Sequence, residues 1–173
     1  MPVDPATLAI VHHPAAVLRG RAEELDAVTD EVRAVAERML ELMHEAPGVG
    51  LAAPQVGLAW RLFVANPTGE PGDNAVYVNP RLEGPTPQTE PMEEGCLSLP
   101  EIRGTVTRPV GVTLHALGLD GELITKTAEG FEARVWQHEF DHLDGVLIVD
   151  RMPPADRRAV RRAMRDLDPS WDP

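Results

Sequence analysis

Residues 137–142, Gln-His-Glu-Phe-Asp-His, constrain the fold of this chain more than any other stretch. They contain His-Glu-x-x-His, and on a helix two histidines four residues apart stand one above the other on the same face. That spacing suits two imidazoles on a single metal ion. Glu139, directly after the first histidine, can then reach a water held at the metal and take its proton. A helix is therefore expected over residues 130–143, with Phe131, Val135, His138 and His142 on one face and Asp144 and Gly145 ending it. Solvated helices also carry this short pattern, so the rest of the chain must decide.

The third ligand discriminates among enzymes that use the motif. After His142 the chain has Gly145 but places Ile148 where the longer metzincin pattern requires histidine. No glutamate follows Glu139, which removes a downstream glutamate ligand, whereas Asp150 stays open. Cys96 is the stronger candidate, because a thiolate and two imidazoles form a three-ligand set that leaves a fourth position for water. It is the only cysteine, which excludes an internal disulfide and fits a reducing compartment. The alternative for a lone cysteine is a small buried hydrophobe.

Around these residues the pattern predicts an α+β fold, with antiparallel β-sheets packed around the central motif-bearing helix and a helix near each end. The 173 residues are expected to form a single domain, 1–173. Residues 1–28 read as an irregular arm in which His12 and His13 are surface or capping residues. Thr29 caps a helix whose Val32, Val35, Ala36, Met39, Leu42, Met43 and Ala46 recur at helical spacing, and Pro47 and Gly48 end it. Residues 61–66 and 75–79 read as strands, 81–93 as a loop or edge strand, and 104–116 as alternating β structure. Asp120-Gly121 supplies a hairpin turn, and 146–149 is a short apolar run. Residues 154–167 predict one helix that gathers Arg157, Arg158, Arg161, Arg162 and Arg165 on an arc of about 140°.

Net charge is −12, so the surface as a whole should repel nucleic acid and acidic membranes, and no DNA partner is expected. No apolar run approaches a membrane span and the start of the chain does not read as a secretory signal, so a cytoplasmic protein without a membrane partner is expected.

Residues 48–55, Gly-Val-Gly-Leu-Ala-Ala-Pro-Gln, are small and close on an amide. Read alone they suit a tight turn, or a close backbone approach to a ligand, better than a phosphate loop, which would end in Lys-Ser/Thr. Together with Glu-Gly-Cys-Leu-Ser at 94–98 and the histidine motif, however, they resemble in order the three motifs of the peptide deformylase family. The likeness runs from about residue 10 to residue 152.

That resemblance implies a hydrolase of protein biosynthesis that removes the formyl group from the N-terminal formylmethionine of nascent chains. It implies that Cys96, His138 and His142 hold one divalent metal, commonly Fe2+, with Zn2+, Ni2+ or Co2+ also compatible. A metal-bound water attacks, and Glu139 serves as general base and then acid. The resemblance further assigns oxyanion donors to the Gln55 amide and the Leu97 N–H, and backbone contact with the extended peptide to Gly50. Val49, Phe131 and Val135 are the candidate apolar walls for the methionine side chain, each equally readable as core, and Arg103 matches a family position near the substrate backbone. Arg134 departs from the aliphatic residue of many bacterial members and puts the shape of that pocket in question. Some members dock a basic C-terminal helix on the ribosome, which makes the arginine stripe a candidate RNA contact, a solvated face being the alternative. A metallopeptidase cutting internal bonds, and an inactive metal-binding module, are the rival readings.

Overall fold

The computed structural model describes residues Met1–Pro173. Helix α1 spans Asp30–Glu45, and the N–H of Val32 donates to Thr29 Oγ1 at 3.3 Å, so the expected cap is present. Strands β1 (Gly50–Ala52), β2 (Leu62–Ala65), β3 (Ala75–Glu83), β6 (Gly111–Leu117) and β7 (Leu123–Glu129) form one antiparallel sheet in the order β1-β2-β3-β6-β7. Strands β4 (Thr89–Cys96) and β5 (Leu99–Pro109) form a second, two-stranded sheet.

The large sheet is covered on both faces. In β2 all four side chains are buried: Leu62 and Val64 pack with Val35, Met39 and Met43 of α1, while Phe63 and Ala65 pack with Ala133, Trp136 and Leu143 on the other side. This explains why Leu-Phe-Val-Ala is continuously apolar rather than alternating. The second cluster belongs to α2 (Phe131–Leu143), the motif helix, which lies between the large sheet and the β4–β5 hairpin. A third cluster joins Leu99, Ile102 and Val106 of β5 to Leu18 and to the C-terminal segment.

The segment 81–93 contributes the end of β3, the loop 84–88 and the first part of β4, an edge strand in which Pro91 is tolerated because β4 has a partner on one side only, in line with the expected loop or edge strand. The apolar run 146–149 leads into a short helix, α3 (Ile148–Arg151). Two expectations need correction. The single C-terminal helix is interrupted: α4 (Pro154–Ala159) and α5 (Arg161–Leu167) meet at Val160, which turns its buried side chain, with Met164, into the third cluster. His13 is buried rather than superficial, with Nε2 3.2 Å from Asp168 Oδ2. No helix is long and apolar enough to cross a membrane.

Candidate metal centre

Cys96 sits at the tip of the β4–β5 hairpin, paired with Leu99 across the two-residue turn Leu97-Ser98. The register shifts between Gly95 and Cys96, and such a bulge re-aims the side chain that follows it. On α2, His138 and His142 present rings whose centroids are 5.1 Å apart. One donor atom from each of Cys96, His138 and His142 lies within 4.8 Å of the others. A soft thiolate with two imidazoles, converging from a hairpin tip and one helix face, fits a four-coordinate divalent cation with one position free for a small ligand. Asp150 lies outside this group; its Oδ2 accepts from the Leu147 N–H at 2.8 Å and pairs with Arg19.

The orientation of the first imidazole is fixed from behind. His138 Nδ1 is 2.8 Å from Glu94 Oε1, which leaves Nε2 facing the other donors. Arg108 grips the same carboxylate twice, Nε to Oε2 at 2.6 Å and Nη2 to Oε1 at 2.9 Å, and Arg134 Nη1 reaches Oε2 at 2.6 Å. Burial works to raise the Glu94 pKa, but hydrogen bonds from His138 and Arg108 outweigh it and hold the carboxyl far below its ordinary range. Arg108 also donates to Asp141 Oδ2 at 2.9 Å, and Arg151 closes on both oxygens of Asp141 at 2.5 and 2.7 Å. Hairpin, motif helix and α3 are thus joined by one ionic chain, buried from Arg134 to Asp141 and exposed only at Arg151. His142 lacks such support: its Nδ1 is buried without a partner, and burial keeps the ring neutral.

Glu139 is 4% exposed, and its Oε2 has no hydrogen-bond partner. Burial raises its pKa to about 7, against the opposing pull of His138. A carboxyl poised near neutrality suits a group that must both take and return a proton. Its side chain rests on Gly50: a Cβ there would stand 2.5 Å from Glu139 Oε1, so only glycine fits. The Gln55 side-chain Oε1 accepts from the Ala52 N–H at 2.9 Å, which turns the amide Nε2 toward Cys96 Sγ at 3.5 Å and Ser98 Oγ at 3.3 Å.

A cavity of about 580 Å³ runs over these groups. Val49, Gly50, Gln55, Cys96, Leu97, Arg103, Phe131, Val135, His138 and Glu139 all line it, so every site residue expected from the sequence except the buried His142 is on its wall. Val49 and Phe131 are 39% and 46% exposed, as pocket walls rather than core, whereas Val135 is nearly buried and serves both. Arg103 is exposed and its Nε is 2.8 Å from Glu93 Oε1. Sequence reasoning missed the supporting roles of Glu94, Arg108 and Asp141. Glu94 and Asp141 lie inside motifs, which was a usable signal; nothing local marks Arg108.

Residues 7–158 match the family model described as polypeptide deformylase. A peptide deformylase of Thermotoga neapolitana is 43% identical over 151 residues, covering 87% of this chain and 90% of that one. Among solved structures, the peptide deformylase of Thermotoga maritima superposes with a TM-score of 0.81 at 41% identity, covering 85% of this chain and 98% of that chain. That of Plasmodium falciparum superposes with 0.89 at 34% identity, covering 92% and 94%.

Proposed function

The chain belongs to the polypeptide deformylase family, metal-dependent hydrolases that remove N-formyl groups from nascent peptides, and on that basis we propose the following mechanism. The substrate is a peptide beginning with formylmethionine, and the products are formate and the free amine. Cys96, His138 and His142 hold one divalent cation, with ferrous iron as the expected native ion and zinc, nickel or cobalt as substitutes. When bound, that cation lowers the pKa of a coordinated water and polarises the formyl oxygen. Glu139 takes the proton of the attacking water and returns it to the departing amine. The Gln55 amide and the Leu97 N–H donate to the oxygen as it becomes an oxyanion, and Gly50 offers backbone to the extended peptide. Val49, Phe131 and Val135 flank the methionine side chain, and Arg103, on the cavity rim, faces the peptide backbone.

The observation that carries this reading is the buried Glu139, without a partner on one oxygen, beside a convergent Cys-His-His set. Metal-defined protein given formyl-Met-Ala-Ser is expected to release formate and leave both peptide bonds intact. Cleavage between Met and Ala, with no formate, would instead favour a metallopeptidase.

Such substrates emerge from ribosomes, so the cytoplasm is the expected compartment. Arg158 and Arg162 are exposed and make no ion pair, whereas Arg161 and Arg165 face Asp172 at 3.9 and 3.5 Å. The stripe therefore narrows to a small basic patch suited to phosphates of ribosomal RNA. Co-sedimentation with ribosomes should fall with salt and with the double substitution Arg158→Glu, Arg162→Glu. Binding indifferent to both would remove this contact.

A further inference from the structure

Arg134 stands one helical turn before His138 on α2 and is only 6% exposed. Its guanidinium is anchored three times: Nη1 donates to Glu94 Oε2 at 2.6 Å and to the Val106 carbonyl at 2.9 Å, and Nη2 donates to the Glu90 carbonyl at 2.6 Å. The third nitrogen, Nε, donates to no protein acceptor and yet is not among the polar atoms sealed from solvent. The side chain lines the same cavity as Met92, Phe131, Val135 and His138. Beside the apolar Met92, Phe131 and Val135 the cavity wall therefore carries a cationic side chain with one unpaired donor, held rigidly by its other contacts.

We propose that the pocket for the first side chain also accepts acceptor-tipped residues, and that the protein deformylates peptides beginning with N-formylmethionine sulfoxide. The proposal rests on the deformylase reading above. A thioether sulfur is a weak acceptor and gains little from a guanidinium. Oxidation turns the same flexible chain into one with a strongly accepting oxygen, which a wholly apolar pocket would strip of water without compensation. The Arg134 Nε–H supplies that compensation at no cost of reorganisation, because Glu94 and two carbonyls already fix the plane. Glu94, shared with Arg108, keeps a carboxylate against the same guanidinium, which holds the donor in place while the pocket contains methionine itself.

The test compares kcat/KM for formate release from three peptides of the form formyl-X-Ala-Ser, with X as methionine, methionine sulfoxide or norleucine. In the wild-type protein the sulfoxide peptide is expected within about tenfold of the methionine peptide. Arg134→Met and Arg134→Lys should each lower the sulfoxide-to-methionine ratio about tenfold or more, the worth of a charged hydrogen bond, and leave the norleucine-to-methionine ratio unchanged. Wild-type protein that processes methionine but discriminates against the sulfoxide by more than about a hundredfold overturns the proposal, whether or not either variant folds. So does a ratio indifferent to both substitutions in folded variants. Formate from none of the three peptides defeats the deformylase reading itself, and this inference with it.

Discussion

Glu139 combines a chemical demand with a cost to the fold, and the two separate by substitution. As the proposed proton carrier it should be worth about 10²–10⁴ in kcat, so Glu139→Gln is expected to lose that factor in formate release while elemental analysis finds the same metal content. As a buried carboxyl whose pKa rises from 4.5 to about 7, it stabilises the metal-free fold fully below its unfolded pKa. That contribution is lost as the pH climbs through 7, a change on the order of 3 kcal/mol. Chelator-treated Glu139→Gln should therefore be more stable than chelator-treated wild type at pH 8, with the gap closing toward pH 4.5. Thermal melts that show no gap at pH 8 would contradict the burial argument. In the proposed mechanism Gln55 acts only as charge develops on the formyl oxygen. Gln55→Ala should thus lower kcat about a hundredfold or more and leave KM nearly unchanged in steady-state assays.

At the scale of elements, the site depends on how α2 and the β4–β5 hairpin are held together. Glu94 is the common partner of His138, Arg108 and Arg134. Removing it as Glu94→Ala leaves a buried Arg134 without its carboxylate and frees the His138 ring to turn. The expected cost is about 3–5 kcal/mol in denaturant unfolding, and about 10–100-fold in metal affinity by competition with a chelator. This is also where the sequence stopped being readable. His138 and His142 were legible because helical spacing alone brings them together, and α1 was legible from Thr29 and its apolar period. The path from Cys96 to those histidines depends on a hairpin bulge, and the partnership of Arg108 with both Glu94 and Asp141 on register between β4, β5 and α2. Neither leaves a local pattern. Arg134, which put the shape of the methionine pocket in question, is held by Glu94 and two carbonyls with one nitrogen left over.

At the scale of the molecule, the C-terminal segment belongs to the core that supports the hairpin. Val160, Met164 and Trp171 are buried in the cluster that contains Leu99, Ile102 and Val106, and Cys96 packs against that cluster. Truncation after Met152 should cost roughly 5 kcal/mol or more from lost apolar burial, seen as a lowered Tm together with weaker metal retention. The break at Val160 goes with the same contacts: 154–167 read as one continuous helix, whereas the chain turns at Val160, whose side chain packs with Met164 in that cluster. The proposed catalysis depends on one cation held by Cys96, His138 and His142 and on Glu139 beside it. Its most direct test titrates metal-free protein with Fe2+ under anaerobic conditions while formate release from formyl-Met-Ala-Ser is followed. The rate should rise from near zero and saturate at one equivalent per chain in the wild type, and stay low in Cys96→Ala. Formate release undiminished by metal removal, or equal in Cys96→Ala, would contradict it.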